Sequence, residues 1–181
     1  MNIYAFDLSL RSTGVAHLQA GLLSLHTHKT TLKDCDLQDA VRAQASAAVK
    51  SITTKPDIVL IEAGALGAIR GKGYEELGAL RWLIRDHSRH TLGFDVVEIT
   101  PSHLKKVVTG NGRASKQEVQ DAVANFAIRK FWPKPKNNDE ADATGLIITY
   151  LMDQGKWRIG GQLQGPGVEG ADGAADGPVP F

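Results

Sequence analysis

A single cysteine, Cys35, occurs in the 181 residues, so the chain has neither a disulfide framework nor a cysteine-rich zinc site, and nothing in it calls for an oxidising compartment. Long hydrophobic runs are missing as well. The first one, residues 3–6, is cut off by Asp7 and is far too short for a signal segment or a membrane span. A soluble, cytoplasmic protein with no membrane partner is the expectation. Net charge is almost absent, +1 at neutral pH, and so predicts no polyanionic partner by itself. What the chain does have is 42% apolar residues, enough for one domain with a real core and too short a chain for two.

The charge is unevenly placed. Residues 101–136 carry eight basic side chains against Glu118 and Asp121, a net of +6, and residues 137–181 carry seven acids against Lys156 and Arg158, a net of −5. A basic block of this kind is either a solvated face or a nucleic-acid contact. Along the chain, strand-type runs at 3–9, 15–19 and 22–32 are separated by turn residues at 11–14 and by Ala20–Gly21, the pattern of an antiparallel meander. A helix follows over 36–52 with Asp36 as its cap. The apolar run 56–64 reads as a strand buried on both faces. Next come a helix over 73–90, a short strand over 94–100, helices from Pro101 and from Lys116, and a last helix from about Asp139 to Met152. From 156 onward Gly, Pro and Asp dominate, which predicts a flexible tail over 156–181 behind one domain, 1–155. The order implies an α/β mixed sheet, three antiparallel strands and then parallel ones, flanked by helices.

Asp7 interrupts an apolar strand, where a charge costs several kcal/mol unless paired or ligating a cation. Glu62 ends the fourth strand, which in this topology can lie parallel to the first, with both C-terminal ends at the edge where open α/β sheets bind ligands. Asp139 and Asp142, at i and i+3, share a face near the start of the last helix. Taken alone, that pair is equally a cap plus a solvated first-turn acid. Four converging acids would repel one another, and a bound divalent ion removes the conflict. Oxygen-only ligation selects hard ions such as Mg2+ or Mn2+, and two such ions about 4 Å apart can hold the attacking water and the leaving oxygen of a phosphodiester.

The stretches FDLSLRSTGVA around Asp7, IVLIEAG around Glu62, PSHLKKVVTGNGRASKQEV and DEADATGLI together resemble, in order and spacing, RuvC-type Holliday junction resolvases of the ribonuclease-H-like superfamily. The resemblance runs from residue 3 to about 152. It implies that Asp7, Glu62, Asp139 and Asp142 bind two Mg2+ ions, with Mn2+ able to substitute, and that Lys116 is catalytic beside them. It also implies that Lys105 and the loop of Gly110 and Gly112 meet the DNA backbone; the basic flanks Lys106 and Arg113 favour phosphate contact there over an ordinary helix connection. The family's Pro-Gly after the first aspartate is Leu8-Ser9 here, and the aromatic wedge that bacterial members carry after the second acid has no counterpart in EAGALGA, leaving Tyr74 as its substitute. The pattern is nearer to viral than to cellular members, which would make the compartment a host cell's cytoplasm.

The function implied is metal-dependent paired nicking of Holliday junctions and other branched DNA. Such symmetry asks for a homodimer, and the 74–90 helix, with Leu80, Trp82, Leu83 and Ile84, is the candidate interface, with simple core packing of the same residues an equal reading. Three other readings stay open: a ribonuclease-H-like nuclease on other nucleic acids, a DNA-binding module without catalysis, and an ATP-binding protein of the actin and sugar-kinase kind, suggested by DLSLRSTG. His26 and His28 share a strand face without an assigned role, and Trp132 is read as core.

Overall fold

Strand alternation decides which side chain meets which layer. In the computed structural model, which describes residues 1–30, 36–64 and 73–156, β1 (Asn2–Asp7) sends Ile3 and Ala5 into one core and Tyr4 and Phe6 into the other. Asp7 continues the first set. β2 (Ser12–Gln19) and β3 (Leu22–Lys29) complete an antiparallel meander with β1, whereas β4 (Ile58–Glu62) and β5 (Val96–Ile99) run parallel to it. The sheet order is β3-β2-β1-β4-β5, the mixed sheet expected. Because Phe6 pairs with Ile61, Asp7 and Glu62 fall side by side at the carboxyl ends of two adjacent parallel strands.

Among the described residues five α-helices flank the sheet: α1 (Leu37–Ser51), α2 (Tyr74–Asp86), α3 (Pro101–Thr109), α4 (Lys116–Arg129) and α5 (Asn138–Asp153). Asp36 caps α1 and Thr100 caps α3, with Pro101 opening the helix, as the local signals predict. α5 is buried on nearly every side, as a helix apolar all round must be. It packs on β1 and β2, with α3 and α4 over it, and its Leu146, Ile147 and Ile148 anchor the core that also holds Ile3, Ala5 and Leu60. α1 and α2 cover the opposite face with Tyr4, Phe6, Val59 and Ile61. No helix among the described residues is long and apolar enough to cross a membrane.

The structure departs from the sequence expectations at three places. Residues 12–14 are strand, not turn: the reversal is at 8–11, closed by Ser9, whose hydroxyl accepts from Ser12 N at 3.0 Å and donates to Ser12 O at 2.6 Å. That bonding lets Thr13 and Gly14 join the ladder. The second helix is α-helical only to Asp86 and continues as a π-helical turn, His87–Thr91. On α2, Leu80 and Ile84 are fully buried in the core, so they are not the surplus apolar surface expected for an interface; Trp82, 61% exposed, and Tyr74, 44% exposed, are what the helix leaves outside. Trp132 is buried, its Nε1 donating to Gly21 O at 3.0 Å. Cys35, the stretch after Ala65 where a wedge was sought, and all of the 156–181 tail except Lys156 lie outside the described residues.

Candidate active site

The α5 N-terminus reaches the sheet because β2 has no side chain in its way. Gly14, paired with Asp7, lies against α5 so closely that a Cβ there would stand 2.0 Å from Asp139 O. Asn137, not Asp139, caps α5 by accepting from Glu140 N at 2.9 Å, and Glu140 turns back, buried, to accept from Lys136 N at 2.7 Å. Capping is therefore complete without Asp139 or Asp142. Their presence needs another explanation.

A cavity of about 250 Å³ at the carboxyl ends of β1 and β4 is lined by Asp7, Glu62, Asp142, Lys105 and Lys116, with Pro101, Leu104, Val119 and Leu146 as its apolar wall. Three of the four predicted acids thus share one chamber. Asp139 does not line it: its carboxylate accepts from Ser12 Oγ, and it acts on Asp7 through charge. Lys116, first residue of α4 behind the Ser115–Glu118 capping box, places Nζ 3.3 Å from Asp142 Oδ2.

The electrostatics follow from that crowding. Burial pushes the Asp7 carboxyl up from 3.8 to about 8, with Asp142, Glu62 and Asp139 adding to the rise and Lys116 opposing it. Burial also raises Glu62; Asp142 adds to this, and Arg81 of α2 works against it. Asp142 is raised by burial even though Lys116 pulls the other way. Lys116 loses something to burial, yet Asp142, Asp7 and Asp139 hold its ammonium above the usual lysine value. A carboxyl kept protonated near neutrality by burial, with three neighbouring acids adding to the rise, is the mark of a site short of positive charge.

Among the described residues no three acidic, histidine or cysteine side chains are drawn together tightly enough to clasp an ion as they stand. Ser12 and Lys116 instead occupy carboxylate oxygens of Asp139 and Asp142. The donor set still fits a hard divalent cation, all carboxylate oxygen with neither sulfur nor imidazole, and such an ion would supply the charge that Asp7 lacks.

The predicted DNA-facing residues divide. Lys105 lines the cavity, while Lys106 and Arg113 are exposed outside it and Tyr74 stands at the start of α2. Gly110, at φ 82°, ends α3 in the left-handed conformation that glycine adopts without strain. The loop's amides are mostly spoken for: Gly110 N donates to Lys106 O, Asn111 N to Thr109 Oγ1, Arg113 N to Asn111 Oδ1 and Ala114 N to Asn111 O. Phosphate contact at this loop therefore falls to side chains, Arg113 and Lys106 first, and not to a backbone cradle. Gly112 sits over the first turn of α3, where a Cβ would come 3.3 Å from Ser102 O, so close packing explains its lack of a side chain. His103, on the exposed face of α3, pairs with Asp153 at 2.9 Å. His26 and His28 both point Nε2 at Ser51 Oγ, at 3.2 and 2.8 Å.

Sequence reasoning missed Ser12, Glu140 and Arg81. The Asn137-x-x-Glu140 spacing is a readable capping signal, but Ser12 and Arg81 reach their carboxylates only through the fold.

Comparison with known proteins bears on the same elements. Residues 87–150 match the family model described as crossover junction endodeoxyribonuclease RuvC, a stretch holding Lys105, Lys116, Asp139 and Asp142. The protein of that name from Prochlorococcus marinus strain MIT 9312 is 39% identical over 62 residues, 34% of this chain and 38% of that one. Its counterpart from Mycolicibacterium vanbaalenii is 36% identical over 106 residues, 54% of this chain and 48% of that one. The chain thus aligns with less than half the length of these relatives. Thermus thermophilus RuvC in complex with Holliday junction substrate shares the fold with a TM-score of 0.67 at 18% identity, over 85% of this chain and 94% of that one. The fowlpox virus resolvase with its substrate Holliday junction DNA does so with a TM-score of 0.54 at 14% identity, over 85% and 99%. Residues 87–150 thus match the RuvC family model, and the chain has the fold that RuvC shares with the poxviral resolvase.

Proposed function

We propose that residues 1–155 form a metal-dependent endodeoxyribonuclease domain that cuts Holliday junctions and other branched DNA. The observation that carries this is the cavity in which Asp7, Glu62 and Asp142 meet Lys105 and Lys116, on a chain whose residues 87–150 match the RuvC model. Asp7, Glu62, Asp139 and Asp142 would hold Mg2+, two ions in the full site, with Mn2+ able to replace them. When bound, such ions supply Lewis acidity and a water of lowered pKa.

The remaining work belongs to the protein's own side chains. Asp7, half-buried at the end of β1, would be one of the carboxylates holding the metal, and its oxygens ligate only in the deprotonated form. Lys116, kept charged by the acids around it, releases Asp142 and turns its ammonium to the phosphate, where negative charge grows as the bond breaks. Lys105 extends the positive lining outward, and Lys106 and Arg113 grip the backbone beyond the cavity. The apolar wall of Leu104, Val119 and Leu146 limits stray water. Such an enzyme works where DNA lies, in a bacterial cytoplasm or in that of a virus's host.

Two symmetric cuts need two sites. A C2 dimer would bring α2 against its symmetry mate, for which exposed Trp82 and Tyr74 on either side of Gly78 provide an aromatic, otherwise uncovered face. Labelled four-way, Y-shaped and linear DNA, incubated with and without Mg2+, tests the proposal. Paired symmetric cuts confined to branched substrates, lost in Asp7→Asn with DNA binding retained, are expected. Metal-dependent cleavage surviving in Asp7→Asn would overturn the assignment, and a light-scattering mass of one chain at micromolar concentration would remove the dimer.

A further inference from the structure

Ser12 and Asp139 are 127 residues apart in the chain, yet Ser12 Oγ donates to Asp139 Oδ2. Three features make this contact a built one. Alternation along β2 puts Ser12 and Gly14 on the α5 face, and the missing Cβ at Gly14 seats the backbone of Asp139 against the strand, so the reach from Ser12 to the carboxylate is set by the main chain. Ser12 is in turn gripped from the preceding turn: Ser9 Oγ accepts from Ser12 N at 3.0 Å and from Arg11 N at 3.3 Å, and donates to Ser12 O at 2.6 Å. Finally, a hydroxyl is neutral. It bonds one carboxylate oxygen, Oδ2, and, being neutral, does not offset the charge as Lys116 does at Asp142.

We propose that Ser9 and Ser12 form a positioning relay that presents the Asp139 carboxylate to a divalent cation, and this rests on the nuclease reading above. Ser9 stands where the family turn has glycine, so hydrogen bonds from a side chain do here what a Pro-Gly turn does by its own backbone preference. Groups that orient a metal ligand in this way are worth roughly 10–100-fold in metal affinity.

The test is calorimetric titration of Mg2+ into the full-length, metal-free chain, with thermal melts in chelator alongside. Ser12→Thr and Ser12→Val have the same shape and differ by the hydroxyl. Ser12→Thr should bind within about twofold of wild type and Ser12→Val about tenfold more weakly, with melting temperatures in chelator alike; Ser9→Ala should lose affinity in the same direction to a smaller extent. Equal affinity in the Thr and Val variants, with Asp7→Asn binding abolished, would overturn the relay and leave the nuclease reading standing. Mg2+ binding that Asp7→Asn leaves untouched would place the ion elsewhere and end both.

Discussion

Replacing Asp7 by asparagine should make the metal-free protein more stable while destroying its function. The folded Asp7 carboxyl stands at about 8 against an ordinary 3.8. Its folded value is the higher one, so between those limits the folded chain holds a proton that the unfolded chain has released, and stability falls as pH rises across the window. At about 1.4 kcal/mol per unit, the ceiling on this cost is ~6 kcal/mol above pH 8. Solvent relaxation and the shared titration of four acids reduce it, and about 1–3 kcal/mol is the expected gain in Asp7→Asn at pH 7.5. For a chain of this length that corresponds to a rise of roughly 3–10 °C in melting temperature. The gain should shrink to a few tenths of a kcal/mol near pH 4 and vanish below about pH 3, where position 7 is neutral in both folded and unfolded chains. Saturating Mg2+ should erase it from the other side, because a ligand at 100 times its Kd adds about 2.7 kcal/mol and only the wild type can bind it. Scanning calorimetry in chelator at pH 4, 6 and 8, repeated in Mg2+ at the upper two, measures each part. An Asp7→Asn chain less stable than wild type at pH 8 in chelator would refute the electrostatic reasoning, since no repulsion would then have been relieved.

Gly14→Ala should cost about 1–3 kcal/mol by forcing α5 away from β2, and should weaken Mg2+ binding in the same variant, measured by melts in chelator and by titration. Lys116→Gln should lower kcat on branched DNA about 100-fold with little change in DNA affinity; an unchanged kcat would leave Lys116 as a solvent-facing partner of Asp142. Alanine at Lys105, Lys106 and Arg113 together should flatten the slope of log affinity against log salt by about one unit per residue, read from binding titrations at several salt concentrations.

Much of this protein could be read from local pattern. Continuous apolar runs, residues 3–6 and the stretch bounded by Pro56 and Gly64, make β1 and β4, strands buried on both sides. Thr100–Pro101 and Asp36 open helices by satisfying free amides. A charge within the apolar run of β1 signals a partner whatever the fold, which is why Asp7 stood out before any coordinates. The misreadings were also local. Ser, Thr and Gly at 12–14 have turn composition, but the ladder with β1 and β3 supplied hydrogen bonds that composition cannot show. Leu80 and Ile84 carry the same apolar label whether they face the core or a second chain, and only the layer above β1 and β4 decides between them.

The primary chain by itself determined the element order and the caps at Asp36 and Thr100, and it singled out Asp7 as a charge in an apolar strand, because each depends on chemistry within a few neighbouring residues. Only the tertiary structure decided that Phe6 lies beside Ile61, so that Asp7 meets Glu62, and that a bare backbone at Gly14 admits α5. It alone put Ser12 on Asp139 and Arg81 within range of Glu62. These contacts join segments separated by about 20 to 130 residues, and their geometry comes from strand register and helix packing, which no short window of sequence contains.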